Sequence, residues 1–487
     1  MSPQIALLVL LPAAAGFAAW LSRSVRAQLV LLLGAALGHV AVVGSLWLHL
    51  PLPTPGALLG LDALGLLVLT LASIIFLASA LYSIPYLTEG THDVPSSPLR
   101  YVPLLLAFLT AMSLVALSRH LGLLWASVEA TTLASAPLIY FYRRPGSLEA
   151  AWKYLLICSV GIALALLGTF FLGVAAAGPD GRGPGLGIDA LLQAAPTLHP
   201  AWLRAAFALA LVGYGTKMGL APLHTWLPDA HGQSPSPVSG LLSGALLNCA
   251  LLGILRFYAI DTASGHAAVS GRMMLVLGFS SLFFGAASLW GQRDYKRLLA
   301  YSSVENMGII AVGIGIGGAA TYGGLLQLVN HGLAKCALFL LSGNVLRAYG
   351  TTSQAGVRGA ARRIPLTAAL LGVGIFAMGG APPFGFFVSE LTIFLDAMRG
   401  SAPWIGAAFI ALIGIGFVAM ARAIFPMLQG EDADCPVVMG RRSSAHRFLA
   451  LGPPAALLAL VLMLGLHVPH SLDTILRSAA ALLGGSP

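Results

Sequence analysis

The groups that could carry charge inside this chain are few and unevenly divided. Of 26 Lys and Arg residues only four are lysines (Lys153, Lys217, Lys296 and Lys335), and the arginines fall mostly in loops. Lys217 and Lys335 lie deep inside apolar segments, whereas Lys296 sits in a basic loop and Lys153 near a segment end, where it can snorkel. Arginine keeps its proton, but desolvation or a neighbouring cation can bring a buried lysine toward neutrality. A charge at mid-membrane costs about 2.5–3.5 kcal/mol on insertion scales. Such a lysine therefore either sits in a fixed interhelical ion pair or carries protons or ions.

Acidic and imidazole groups accompany the lysines. Glu129 falls midway along an apolar segment in WASVEATTL, and Glu390 lies in another in FGFFVSEL. His331 and Lys335 are four residues apart, so on a helix they share a face. A lone membrane histidine is usually an interhelical hydrogen-bonder, but one beside a buried lysine reads as a relay station. Glu305 reads equally as a mouth group or a solvated helix-end carboxylate. Lys153, His224 and His231 are further relay candidates.

The elements that must position these groups are membrane helices. The chain has 487 residues, 58% apolar and only 9% charged. A soluble domain carries roughly 25% charged residues. Apolar runs of about 20 residues recur throughout, each long enough to span a bilayer as a helix. Strand alternation is absent and Ala, Leu and Gly dominate, so a membrane barrel is a poor fit. The fold class expected is all-α and polytopic, with about fourteen spans near 4–20, 28–49, 59–84, 102–118, 120–142, 152–176, 202–230, 235–260, 270–290, 299–318, 322–348, 365–398, 403–427 and 447–468. The first of these lacks a basic n-region and a cleavage site, so it reads as a span rather than a signal peptide.

Several functions are excluded by what the sequence lacks. The cysteines Cys158, Cys249, Cys336 and Cys435 are scattered without a CxxC pair, so neither a metal site nor an iron–sulfur cluster is expected. No glycine-rich phosphate loop precedes a helix. No cofactor and no redox chemistry of the chain's own are expected. The net charge of +9 lies in short loops, where topology rather than nucleic acid explains it. Outside the two buried lysines, one set of alternate loops holds seventeen basic residues and the other seven. The richer side should be cytoplasmic, and an even span count then places both termini outside, on the outer face of a prokaryotic cytoplasmic (inner) membrane.

Two spans are overlong and broken. The seventh reads KMGLAPLHTWLPDAH and the twelfth contains AMGGAPPFGFFVSEL, sharing MG-x-AP at Met218–Pro222 and Met378–Pro382. Proline and glycine free backbone groups that only protein or water can satisfy at membrane depth, and paired broken helices point to a transport site. Five spans separate the two breaks, so the repeat must be inverted. The organisation expected is an N-terminal three-helix segment (1–100), two five-helix repeats (101–262 and 263–430) and a C-terminal helix 14 (431–487).

HTWLPDAH with SPSPVSGLLSGALLN, then DYKRLLAYSSVENMG, NHGLAKCALFLLSG and GGAPPFGFFVSE, resemble the antiporter-like subunits of respiratory complex I and Mrp-type sodium/proton antiporters. EATTL and YKRLLAYSSVE are most similar to the hydrogenase-4 component F branch, membrane subunits of formate hydrogenlyase and related group 4 hydrogenases. The resemblance implies a fourteen-helix fold, proton translocation along a polar axis, other membrane subunits and a soluble hydrogenase-like or quinone-reductase-like redox arm. It assigns proton translocation to Glu129, Lys217, His331, Lys335 and Glu390. Two departures stand out: Ser243 and Asn248 occupy the eighth span where relatives usually carry histidine or lysine, and Asn306 replaces a histidine. The chain ends shortly after its fourteenth span, without the long lateral helix of the largest complex I antiporter-like subunit. A cation/proton antiporter or inorganic-carbon uptake unit on the same scaffold is the alternative, and a non-conducting scaffold a third.

Overall fold

The computed structural model describes residues 2–48, 56–88, 98–178, 183–430 and 443–485. Cys435, and Arg182, Arg441 and Arg442 of the charge tally, lie outside the described residues. The first helices are α1 (Pro3–Leu21), α2 (Val25–Leu48), α3 (Ala63–Thr88), α4 (Tyr101–Leu117), α5 (Leu121–Ile139) and α6 (Pro145–Ala175). A short α7 (Ile188–Ala194) precedes the first broken helix, α8 (Pro200–Met218) and α9 (Trp226–Gln233). The next span runs as α10 (Ser236–Leu241), a π-helical turn at Leu242–Leu246 and α11 (Leu247–Ala263). Then come α12 (Ala267–Gly291), α13 (Tyr295–Ile316), α14 (Gly318–Tyr349) and the short α15 (Ala360–Arg363). The second broken helix is α16 (Pro365–Met378) with α17 (Gly385–Arg399), followed by α18 (Trp404–Gln429), α19 (Ser444–Leu466) and α20 (His470–Leu482).

Eleven of these stretches are long and apolar enough to cross a bilayer, and Tyr101–Leu117 is a shorter apolar helix. With the two broken pairs, the described residues make fourteen crossings, as the hydropathy pattern predicts. The apolar windows of Ser236–Ala263 and α14 are wholly buried, whereas α1, α2, α6, α12, α18 and α19 turn most of theirs outward. Helices apolar all round belong in the interior or the bilayer; here the innermost two are also those carrying Ser243, Asn248, His331 and Lys335.

Small residues set the closest helix crossings. A Cβ on Gly213 of α8 would stand 2.5 Å from Ala165 N of α6, and one on Gly308 of α13 would stand 2.7 Å from Gly278 O of α12. In lipid, where apolar burial gives no drive between helices, such backbone approach is what packs them. His39 adds polar attachment on α2. Its ring meets Ser73 Oγ of α3 and Ser113 Oγ of α4, both at 2.9 Å. Because the Ser113 hydroxyl donates to Leu109 O, His39 Nε2 must donate to Ser113, leaving Nδ1 to accept from Ser73.

One ion cluster joins segments far apart in the chain. Asp62, just before α3, accepts from Arg256 of α11 through both carboxylate oxygens and from Arg119 at 2.5 Å, and Arg119 also reaches Asp189 of α7. Burial alone would raise the Asp62 pKa, but Arg256 and Arg119 outweigh it and hold the carboxyl well below the usual range. The stability it contributes is therefore present above the ordinary carboxylate pKa and lost only in strong acid. Asp62→Asn leaves two buried guanidinia short of a charge, which should cost about 3 kcal/mol. Thermal unfolding in detergent measures this, and an unchanged midpoint would show the cluster to be passive.

The structure corrects three local expectations. Lys296 is not a loop residue: it lies in the first turn of α13, 1% exposed, donating to Ser234 O at 2.6 Å. Hydropathy placed that span's start four residues late, because DYKR reads as polar although Asp294 is its N-cap. Glu305 is neither a mouth group nor solvated, being 3% exposed within α13. Helices α7 and α20, too short and mixed to register as spans, were not anticipated.

Candidate functional site

Lys217 sits in the last turn of α8, where the helix ends at Gly219 with φ +84. A side chain at Gly219 would adopt an unfavourable backbone and would meet Leu227 Cδ1 at 2.5 Å. The break thus lets α9 fold back against the end of α8, and Trp226 Nε1 donates to Thr216 O at 2.8 Å to hold it there. The fully buried Lys217 ammonium donates to Val128 O at 2.5 Å and to the Thr132 hydroxyl, both on α5. Thr132 in turn donates to Glu129 Oε2 at 3.1 Å, and Ser159 of α6 donates to Glu129 Oε1 at 2.7 Å. Lys217 and Glu129 are therefore joined through a hydroxyl rather than by a direct ion pair.

The second lysine is held the same way. Lys335, in the middle of α14, donates to Leu299 O at 2.8 Å and to the Ser302 hydroxyl, both on α13. Each buried lysine thus takes one carbonyl and one hydroxyl from a neighbouring helix that also carries a carboxylate, Glu129 or Glu305. Those carboxylates close identical tripeptides, Ser127-Val128-Glu129 and Ser303-Val304-Glu305, a sequence signal that hydropathy reading passes over.

From Lys335 the contacts continue to the second break. Asn306 Nδ2 donates to Ser302 O at 2.9 Å, and Gln327 Nε2 donates to Asn306 Oδ1 at 3.0 Å and to Glu390 Oε1 at 3.2 Å. Ser389 donates to Gln327 Oε1. Glu390, on α17, presses against the break itself: a Cβ on Gly380, where φ is +69, would lie 2.2 Å from Glu390 Oε2. Thr132, Ser159, Ser302 and Gln327 are members of the site that the sequence reading missed. Asn306 entered it there only as a departure from a family pattern.

Glu305 is wedged between two glycines. A Cβ on Gly416 of α18 would stand 1.8 Å from Glu305 Oε1, and one on Gly285 of α12 would stand 2.9 Å from Glu305 Cβ. The Gly416 contact is with the end of a flexible side chain. Gly416→Ala should therefore leave folding intact while driving the carboxylate into another rotamer. The expected result is ion movement slower by about a hundredfold, the low end of what one positioned proton-transfer group contributes. An unchanged rate would place Glu305 outside the path.

The other candidates divide. His331 and His231 are fully buried and neither ring nitrogen of either has a protein partner. His231 of α9 stacks at 4.8 Å on Phe339, one turn beyond Lys335 on α14, and His331 lies one turn before that lysine. Ser243, in the π-helical turn, meets Ser303 Oγ at 2.8 Å, and Asn248 donates to Gly244 O at 2.8 Å with its own Oδ1 unpartnered. Such turns recur at functional sites because they re-aim side chains within a helix. His224 lies in the first break against Phe284 and Tyr301, off the polar line. Lys153 is half exposed and binds Glu149 at 2.6 Å and Asp229 of α9 at 3.1 Å, while Arg297 holds the other Asp229 oxygen at 2.9 Å. It tethers the half-helix from outside the axis. Cys158, Cys249 and Cys336 are buried and free, and no cluster of metal ligands occurs among the described residues.

Fourteen crossings, two broken helices and a buried line of lysine, hydroxyl, amide and carboxylate groups define a polytopic ion-handling membrane protein. Residues 118–416 match the family described as NADH:quinone oxidoreductase/Mrp antiporter, TM. A hydrogenase-4 component F homolog from Methylacidiphilum infernorum is 36% identical over 409 residues, covering 82% of this chain and 86% of that protein. A chain of respiratory complex I from Thermus thermophilus superposes with a TM-score of 0.81 at 25% identity, covering 99% of this chain and all of that one. One in the Mrp complex from Dietzia sp. DQ12-45-1b gives 0.86 at 21% identity over 99% and 98%, a likeness of fold. The chain belongs to the NADH:quinone oxidoreductase/Mrp antiporter family and is an antiporter-like membrane subunit.

Proposed function

We propose that the chain moves protons across a prokaryotic cytoplasmic membrane along this axis, as a membrane subunit of a redox-driven complex of the membrane-bound hydrogenase or complex I type. One observation carries the reading. A structural ion pair, the other use for a mid-membrane lysine, needs a carboxylate against it. Among the described residues, none lies within 4.0 Å of Lys217 or Lys335. Both lysines donate instead into hydroxyls. Thr132 passes on to Glu129, the arrangement along which a proton can move, and from the Ser302 backbone the amides of Asn306 and Gln327 lead to Glu390.

Residues 101–262 and 263–430 act as two inverted repeats, each a half-channel, flanked by 1–100 and 431–487. The shared MG-x-AP breaks, the repeated Ser-Val-Glu and the parallel lysine anchors support this. Glu129, Lys217, His331, Lys335 and Glu390 exchange the proton, and Ser243, Asn248 and Glu305 bridge between them. Buried polar atoms without a protein partner, such as those of His331 and Asn248, are ordinarily satisfied by ordered water, which extends the wire. Two unit charges about 6 Å apart at an effective dielectric of 20 interact by about 3 kcal/mol. Moving one charge against 100 mV costs about 2.3 kcal/mol. Turning the Thr132 hydroxyl away from Glu129, or moving α5 from α8, is thus on the scale that gates one proton.

Other membrane subunits surround the chain, and a soluble hydrogenase-like or quinone-reductase-like arm supplies the driving force. Both termini face outward. The test is to purify the tagged complex, identify its subunits by mass spectrometry and follow proton uptake in vesicles when its electron donor is added. Donor-driven uptake with an iron–sulfur arm present is the expected result. A sodium-dependent exchange with no redox subunit would overturn it.

A further inference from the structure

Outside the proton axis, the chain carries a groove between α1, α4 and α5 of about 840 Å³. Its floor is small residues, Gly16, Ala111 and Ala134 among them, and Phe17, Ala107 and Leu133 lie on its exposed side. One end is different. Arg100 closes the groove there beside Trp20, exposed one residue before the end of α1, a helix-end position that interfacial aromatics favour. Gln28 Nε2 donates to Ala19 O, Ser22 O and Leu99 O at 2.8, 3.0 and 3.1 Å, pinning the α1–α2 turn next to Arg100. That turn brings Arg23 and Arg26 to the same end. All three arginines are exposed, and none pairs with a carboxylate among the described residues.

We propose that this groove is a binding site for one anionic phospholipid, its acyl chain in the apolar channel and its phosphate on Arg100, Arg23 and Arg26. Depth selects a lipid over a neighbour's helix. The α1 lining runs from Ala13 to Trp20 and the α5 lining from Ala130 to Pro137, each about 10 Å at 1.5 Å per residue. Three-sided enclosure thus ends within one leaflet of a hydrocarbon core about 30 Å thick. A transmembrane helix would use the full thickness; an acyl chain uses half. Charge selects the headgroup, since unpaired basic groups at the end of an interhelical pocket attract anionic lipid phosphates.

The experiment exchanges the purified complex into nanodiscs of equal phosphatidylglycerol and phosphatidylcholine, then counts lipids retained on the chain by native mass spectrometry. Wild type should keep a phosphatidylglycerol. The triple variant Arg23→Gln/Arg26→Gln/Arg100→Gln should lose it by roughly tenfold or more. Ala107→Trp, which fills the groove from its exposed side without touching a charge, should do the same. Arg272→Gln, beside an apolar pocket elsewhere, should retain it. Equal retention of the two lipids would overturn the proposal, as would wild-type retention in either groove variant. So would a disulfide or cross-link from Ala107→Cys to a neighbouring subunit, which would show protein in the groove.

Discussion

Lys217→Met is expected to abolish donor-driven proton uptake, to at least about a hundredfold below wild type, while the complex still assembles. Methionine keeps the unbranched length that packs α8 against α5 and removes a charge whose burial is costly at membrane depth. What it takes away is the group that, among the described residues, links α8 to Thr132 and, through it, to Glu129. Lys217→Arg separates charge from proton. Arginine retains the positive charge and does not release its proton at any relevant pH, so this variant should be equally inactive. Vesicle uptake and the elution profile of the complex are the readouts. Wild-type transport in Lys217→Arg would mean that the position needs only a fixed cation, and the relay would fall.

Gln327→Leu should have the next largest effect. Gln327 is the hub between the second lysine and the second break: it donates to Asn306 and Glu390 and accepts from Ser389. Leucine is close in size and can satisfy none of the three. Each buried group left without its partner costs about 1–3 kcal/mol, so the unfolding midpoint should drop. Transport should fall about tenfold or more, because the hydrogen-bonded link from Asn306 to Glu390 is cut. Gln327→Glu, which restores an acceptor for Ser389 and an exchangeable proton, should recover part of the rate. A Leu variant that is destabilised yet pumps normally would assign Gln327 to packing alone.

The groups most costly to bury were the ones readable without a structure. Lys217, Lys335, Glu129 and Glu390 announce themselves because a charge inside an apolar run is penalised wherever the helix faces. The two breaks are equally local, since glycine and proline interrupt a helix by their own backbone chemistry. Lys296 and Glu305 were misjudged for the converse reason. A hydropathy window averages over all sides of a helix, and whether a polar residue near its end meets lipid headgroups or protein depends on what packs there.

What the sequence by itself determined is the class: many apolar helices, two lysines and their carboxylates kept inside, and two broken spans. What only the tertiary structure decided is the wiring. Thr132, Ser159, Ser302 and Gln327 are ordinary small or neutral polar residues that cost little in a helix and leave no trace in composition or period. Their roles come from helix rotation and spacing, fixed by glycine contacts such as Gly416 against Glu305 and by ties such as Asp62 to Arg256, 194 residues away. Charge burial is a property of one residue in its own segment, whereas a hydrogen bond a few ångströms long is a property of two helices and the packing that sets them apart.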